Sequence, residues 1–181
     1  SVFDEASRTN GVAALFLQKN IETVYQYGSI RLALRQAADG SLLDLDAIFE
    51  LISIAESINA NIVFFVQPAH VDRWEIFDRL GYWDDFERWK TEIVKLVDRE
   101  KERGAEIDLW DFASYQPYVQ EALPLDSDLD SNLMWFWEPA HYRTALGDIM
   151  IAQMREVNSP IRFGVKLTPD NLSEWLLKIR S

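Results

Sequence analysis

Two short uncharged runs constrain this chain most, because both end in the same tripeptide. Ile62-Val63-Phe64-Phe65-Val66 leads through Gln67 into Pro68-Ala69-His70, and Leu133-Met134-Trp135-Phe136-Trp137 leads through Glu138 into Pro139-Ala140-His141. Runs rich in β-branched and aromatic residues, with no polar alternation, are what strands covered on both faces look like. A helical pattern follows each run. Strand, turn and helix in succession predict an α/β fold with a parallel sheet. His70 and His141 are the only histidines of the chain. Both would then lie just past carboxyl ends of strands, where open α/β sheets place their sites.

The rest of the chain fills in around these runs. Apolar residues recur at helical spacing from Gly11 to Ala38, with a break expected at Gly28-Ser29. Asp44 to Ile58 reads as a helix with Ile48, Phe49, Leu51, Ile52 and Ala55 on its buried face. After His70 a helix capped by Asp72, with Glu75 as capping-box partner, is expected to end at Gly81. A longer one from Asp84 turns Phe86, Trp89, Ile93, Leu96 and Val97 inward and stops at Gly104. Glu106 to Phe112 is a further strand candidate, closing on Asp111. Residues 113 to 132 lack any period, and so long a loop inside a compact domain tends to be functional. Leu146, Ile149, Met150 and Met154 mark a helix, and Asn158-Ser159-Pro160 breaks it. Ile161 to Leu167 is expected as an edge strand. Thr168-Pro169-Asp170 caps the last helix, whose Leu172, Trp175, Leu176 and Ile179 share one face.

These elements predict one α/β domain over residues 1–181: a partial doubly wound parallel sheet of three to four strands with many flanking helices. The strands are few for so many helices. Together with a start at Ser1 rather than methionine, this leads us to expect the carboxyl-terminal portion of a longer protein.

Composition excludes several functions. Lys+Arg 18 against Asp+Glu 30 gives a formal charge of −12, which disfavours nucleic acid and anionic membranes as partners. There is no cysteine, hence no disulfide, thiolate metal site or cysteine nucleophile. No run reaches the roughly 18 apolar residues of a membrane span. Glycine-rich nucleotide motifs and G-x-S-x-G are both absent, so no cofactor is expected and the ordinary α/β-hydrolase pattern is missing.

The residues with chemistry are few. An acid three places before a histidine, with proline between them, can set its carboxylate on the imidazole Nδ1 and leave Nε2 to take a proton from a hydroxyl. Glu138 and His141 fit that pattern; equally, His141 can cap a helix while Glu138 is exposed. His70 has Gln67 in place of the acid and is a candidate contact in the same cleft. A metal held by the two histidines is not expected, since no helical H-x-x-x-H pairing exists. Asp126, Asp128 and Asp130 imitate the start of a calcium loop. However, Ser131 and Trp137 stand where its glycine and glutamate belong, so a solvated acidic loop is expected. Trp135 and Trp137 flank the histidine in alternation and are candidates to present a ring to a sugar face.

The order of pieces resembles the second half of an SGNH (GDSL-like) hydrolase, in the branch associated with bacterial exopolysaccharide systems and related to alginate O-acetyltransferase-like proteins. The resemblance spans roughly residues 44–181. It is carried by Leu109-Trp110-Asp111-Phe112, Trp137-Glu138-Pro139-Ala140-His141-Tyr142-Arg143, Leu146-Gly147-Asp148 and Phe163-Gly164-Val165-Lys166-Leu167-Thr168. It implies that His141 is the general base, with Glu138 where the family usually has aspartate. It also implies a serine nucleophile in a Gly-Asp-Ser-like motif near the first strand, and no such motif occurs in this chain. By this resemblance the parent protein is an extracytoplasmic esterase or O-acyltransferase acting on a surface polysaccharide. The other expectation is a non-catalytic binding or scaffold module of an envelope polysaccharide assembly.

Overall fold

The computed structural model describes residues 11–28, 45–125, 128, 130–155 and 162–179. Among them are six α-helices: α1 (Val12–Gly28), α2 (Asp46–Ser57), α3 (Val71–Arg79), α4 (Trp83–Glu102), α5 (Thr144–Met154) and α6 (Pro169–Lys178). The strands are β1 (Ile62–Val66), β2 (Ile107–Asp111), β3 (Phe136–Glu138), β4 (His141–Tyr142) and β5 (Val165–Lys166). The expected second helix of the Gly11–Ala38 stretch and the break at Asn158-Ser159-Pro160 lie outside the described residues, as do Asp126 and Ile161.

The chain is mixed α/β, with a three-stranded sheet in the order β1-β2-β5. β1 and β2 run parallel, with Ile62 opposite Ile107 and Val66 opposite Asp111. Helices α3 and α4 make the crossover between them, as parallel strands require. β5 is antiparallel to β2, with Trp110 opposite Lys166 and Asp111 opposite Val165. It is therefore an edge strand, but the sheet is not purely parallel.

The second apolar run departs further from expectation. Only Phe136–Glu138 of it is strand, and this pairs antiparallel with His141–Tyr142 in a sheet of two strands instead of joining β1 and β2. Pro139-Ala140 turns the chain straight back, and a connection that short can only join antiparallel neighbours. His141 thus sits in the return strand of a hairpin, not past the carboxyl end of a parallel strand.

Alternation along β2 sends side chains to two cores. Ile107 and Leu109 join Val66, Ile93, Leu96, Val97, Leu172 and Trp175 on one face of the sheet. Trp110, followed by Phe112, joins Val12, Phe16, Phe136, Leu146, Met150 and Phe163 on the other. That second face is covered only in part. Val63 is 43% and Phe65 44% exposed, so β1 is not a strand covered on both faces. The helices show the same one-sidedness. In α1, Val12, Leu15 and Phe16 are buried, whereas Ile21, Val24 and Tyr25 are exposed, and Leu51 of α2 is exposed as well.

Local chemistry explains where elements stop. Gly104 has φ +104°, the left-handed conformation glycine supplies just past a helix. Thr168 and Asn171 form a reciprocal capping box at the start of α6. The cap of α3 is not Asp72 but His70, whose side chain accepts from the Asp72 backbone N–H. At Gly164 (φ +96°) an added Cβ would lie 2.4 Å from Phe112 Cδ1 and 2.8 Å from the Asp111 carbonyl oxygen. Only glycine lets the chain pass so close to the end of β2.

Candidate functional site

The acid-x-x-His segment is the tip of the β3–β4 hairpin. Glu138 and His141 are cross-strand partners, with a register shift between Phe136 and Glu138. Trp137 is the extra residue of this bulge. Bulges re-aim side chains and favour the neighbourhood of active sites. Here the bulge leaves Phe136 and Glu138 both buried while Trp137 is half-buried. Cross-strand pairing then brings the two side chains within reach of each other.

The His141 Nδ1–H donates to Glu138 Oε1. The other carboxylate oxygen, Oε2, accepts the Ala140 backbone N–H at 3.1 Å. The Glu138 side chain is 3% exposed and that of His141 is 61% exposed. A carboxylate accepts only, so Nδ1 carries the proton and the lone pair of a neutral ring sits on Nε2. This is the tautomer a general base needs. A buried acid fixes the ring, and the ring faces solvent.

Arg143 and Trp137 flank the pair. The Arg143 guanidinium carbon lies 3.7 Å from the Trp137 ring centroid, a stacked cation–π contact. One Trp137 face is thereby covered by the arginine. Trp135 meets Tyr118 edge-on at 5.2 Å between ring centroids. Its backbone N–H, with that of Met134, donates to the Glu121 carboxylate at 2.9 and 2.6 Å.

His70 is brought to the same hairpin, but from the inside. Its backbone N–H donates to the Pro139 carbonyl at 2.9 Å, so the two Pro-Ala-His segments touch directly. Its ring is 2% exposed and lies edge-on to Phe16 and Phe136, with centroids 4.9 and 5.6 Å away. Nε2–H donates to the Glu121 carbonyl at 2.8 Å, and Nδ1 accepts the Asp72 N–H at 3.3 Å. Packed and wired in this way, the ring ties α3 to the Glu121 loop and the hairpin; it does not face a cleft. Asp72 Oδ1 stands 3.4 Å from the same Nδ1. The nearness of the His70 ring holds the Asp72 carboxyl below its ordinary value, against the opposing pull of burial.

A second constellation, at the end of β2, does not stand out in the sequence. The Lys90 Nζ lies 2.6 Å from Asp111 Oδ2, and both side chains are fully buried. Lys90 also donates to the Ala113 carbonyl at 2.8 Å. Asp111 accepts the Trp175 indole N–H at 2.8 Å and the Ala113 N–H at 2.9 Å. Burial pushes the Lys90 ammonium below its ordinary pKa, and the Asp111 charge opposes that shift. The cluster joins α4, β2 and α6 through hydrogen bonds on each charged group. A signal was present: Lys90 interrupts the apolar stripe of Phe86, Trp89, Ile93 and Val97.

In the acidic loop only Asp128 and Asp130 of the three aspartates are described. Asp128 Oδ1 accepts the N–H groups of Asp130 and Ser131 at 3.2 and 3.0 Å, so it organises a turn. Hydrogen bonds from Ser131 hold its carboxyl below the ordinary value. Among the described residues no group of three potential metal ligands occurs, and no helix is long and apolar enough to cross a membrane.

Comparison with known protein families, with curated proteins and with solved structures finds no match to this chain.

Proposed function

We propose that Glu138 and His141 are the base half of a serine-type acyl-transfer site of the SGNH kind, in a bacterial esterase or O-acyltransferase acting on surface polysaccharide. One observation carries this reading: a buried carboxylate grips Nδ1 of a solvent-facing imidazole. In such a site Nε2 takes the proton of a serine hydroxyl as that oxygen attacks the ester carbonyl. It then returns the proton to the departing alkoxide, while Glu138 holds the tautomer and steadies the imidazolium. The serine belongs to a Gly-Asp-Ser-like motif that these residues do not contain. On this reading the sheet of β1, β2 and β5 is part of a doubly wound arrangement, and the protein works outside the cytoplasm. His141 and Glu138 act on the acyl group, and Trp137 with its stacked Arg143 borders the sugar.

The test is acetyl release from an acetylated polysaccharide by the product of the complete gene. Loss of at least about a hundredfold in His141→Ala, the usual scale for a general base, with folding intact, supports the reading. Unchanged release would sink it.

The half-buried Trp137–Arg143 stack favours a second reading, a non-catalytic polysaccharide-binding module. Under that reading His141→Ala binds polysaccharide normally and Trp137→Ala does not.

A further inference from the structure

The Glu138–His141 pair sits on a hairpin too small to hold itself. Phe136–Glu138 and His141–Tyr142 pair only at Phe136 with Tyr142 and at Glu138 with His141, and the Trp137 bulge lies between. A lone two-stranded hairpin is marginal in water even when regular. The bulge adds a second weakness. Strand side chains alternate, so a one-residue slip of β3 would turn Phe136 and Glu138 outward and Trp137 inward. Contacts from outside the hairpin must therefore fix its register.

The long segment between β2 and β3 supplies them. Its 3-10 turn, Pro117–Val119, is seated by the fully buried Val119. The Tyr118 ring meets those of Trp135 and Phe163, each at 5.2 Å between centroids. Two residues on, the Glu121 carboxylate accepts the N–H groups of Met134 and Trp135, one on each oxygen, at 2.6 and 2.9 Å. Trp135 closes the open end of the hairpin, because its carbonyl accepts the Arg143 N–H at 2.7 Å. The Glu121 carbonyl accepts the His70 Nε2–H at 2.8 Å, and the His70 backbone N–H reaches the Pro139 carbonyl at the tip. One residue thus ties the open end of the hairpin to the histidine that holds its tip.

From this geometry we infer that Glu121 is a positioning residue for the Glu138–His141 pair. Its carboxylate locks the register of β3, which keeps the acid inside and the imidazole outside. Hydrogen bonds from backbone N–H groups to a carboxylate are charge-assisted and strong, and a one-residue slip would pull Met134 and Trp135 off their oxygens. The consequence for catalysis rests on the acyl-transfer reading: a base displaced by about 1 Å costs roughly a hundredfold in rate.

The test is backbone amide exchange in the full 181-residue chain and in Glu121→Gln. The glutamine keeps the size and one acceptor but turns an NH2 group toward the other donor. Exchange at the Arg143 amide should quicken about tenfold, the scale of one charged hydrogen bond, while Ile93 in the core of α4 exchanges as before. An unchanged Arg143 rate would overturn the inference. So would equal acceleration at both amides, which would make Glu121 a support of the whole fold. In the product of the complete gene, Glu121→Gln should lower kcat for acetyl release about tenfold or more, leave KM unchanged, and add little to the loss in Glu138→Gln, since both act through one ring. An unchanged kcat would overturn the positioning role. If the unaltered enzyme releases no acetyl, the acyl-transfer reading fails, and the exchange rates still decide whether Glu121 holds the pair.

Discussion

The two Pro-Ala-His segments are nearly the same text and carry opposite chemistry. At His70 the ring is inside, its Nε2–H bonded to the Glu121 carbonyl and its Nδ1 capping α3. At His141 the ring is outside, with Nδ1–H on Glu138. One residue decides much of this difference. Where the second segment has Glu138, the first has Gln67, and Gln67 is exposed while Glu138 is buried. The backbone course differs as well: a helix begins directly after His70, while Pro139-Ala140 folds the chain into a hairpin. A histidine saturated with partners is architecture. A histidine gripped at Nδ1 by a buried acid, with its side chain 61% exposed, faces solvent instead.

The contrast can be broken most severely on its interior side. Asp111→Ala would leave the buried Lys90 charge without its partner, and breaking such a pair costs about 3–5 kcal/mol. Chemical denaturation should show that loss, and Lys90→Met added to Asp111→Ala should recover much of it. A single-variant loss under about 1 kcal/mol would mean the pair is hydrated and the interior assignment wrong.

His70→Phe is the sharper cut, because it keeps a ring between Phe16 and Phe136 but removes both nitrogens. The orphaned Glu121 carbonyl and Asp72 N–H should cost about 1–3 kcal/mol in the same measurement. No loss would show that ring packing alone matters.

Acid should act more gently, through two half-buried carboxyls. The Asp72 and Asp108 carboxyls both lie below their ordinary value of 3.8. For Asp108 burial pushes upward, and the Lys166 and Lys101 ammonium groups at 2.7 and 3.0 Å outweigh it. A depressed carboxyl stabilises fully above its unfolded value and loses that contribution as pH falls through its folded one. Melting temperatures should therefore decline below pH 3.8, and Asp108→Asn should flatten the decline; a profile that rises there would contradict the sign.

The exposed partner comes last. His141→Ala takes from the buried Glu138 carboxylate its ring donor, a loss of about 1 kcal/mol once water from the ring's solvent side replaces it. Glu138→Gln should instead change the ring's tautomer balance, visible in its imidazole nitrogen NMR shifts. Unchanged shifts would show that Glu138 does not select the Nδ1–H form.

Much of the architecture was legible because local signals and tertiary demands agreed. The parallel pair of Ile62–Val66 with Ile107–Asp111, the crossover helices, the Thr168 cap and the stop at Gly104 all rest on residues whose propensities point one way. The Glu138–His141 contact was legible too, since a spacing of three across a prolyl turn leaves little freedom. The partnership of Phe136–Glu138 was not. An apolar run of that length reads equally as a central strand or as half of a hairpin. Nor was the fate of Val63 and Phe65 legible, because burial depends on what other segments cover. Lys90 and Asp111, 21 residues apart in sequence, showed only as a charge out of place on an apolar stripe.

Sequence alone therefore determined the mixed α/β class, most helix limits and the acid-x-x-His pair, because these depend on periodicity, caps and near neighbours. Only the tertiary structure decided that one histidine is sealed inside and the other exposed, that the second apolar run leaves the main sheet, and that a lysine and an aspartate close a buried knot at the end of β2. Those outcomes depend on contacts between distant segments, and burial and charge pairing follow from such contacts rather than from local sequence.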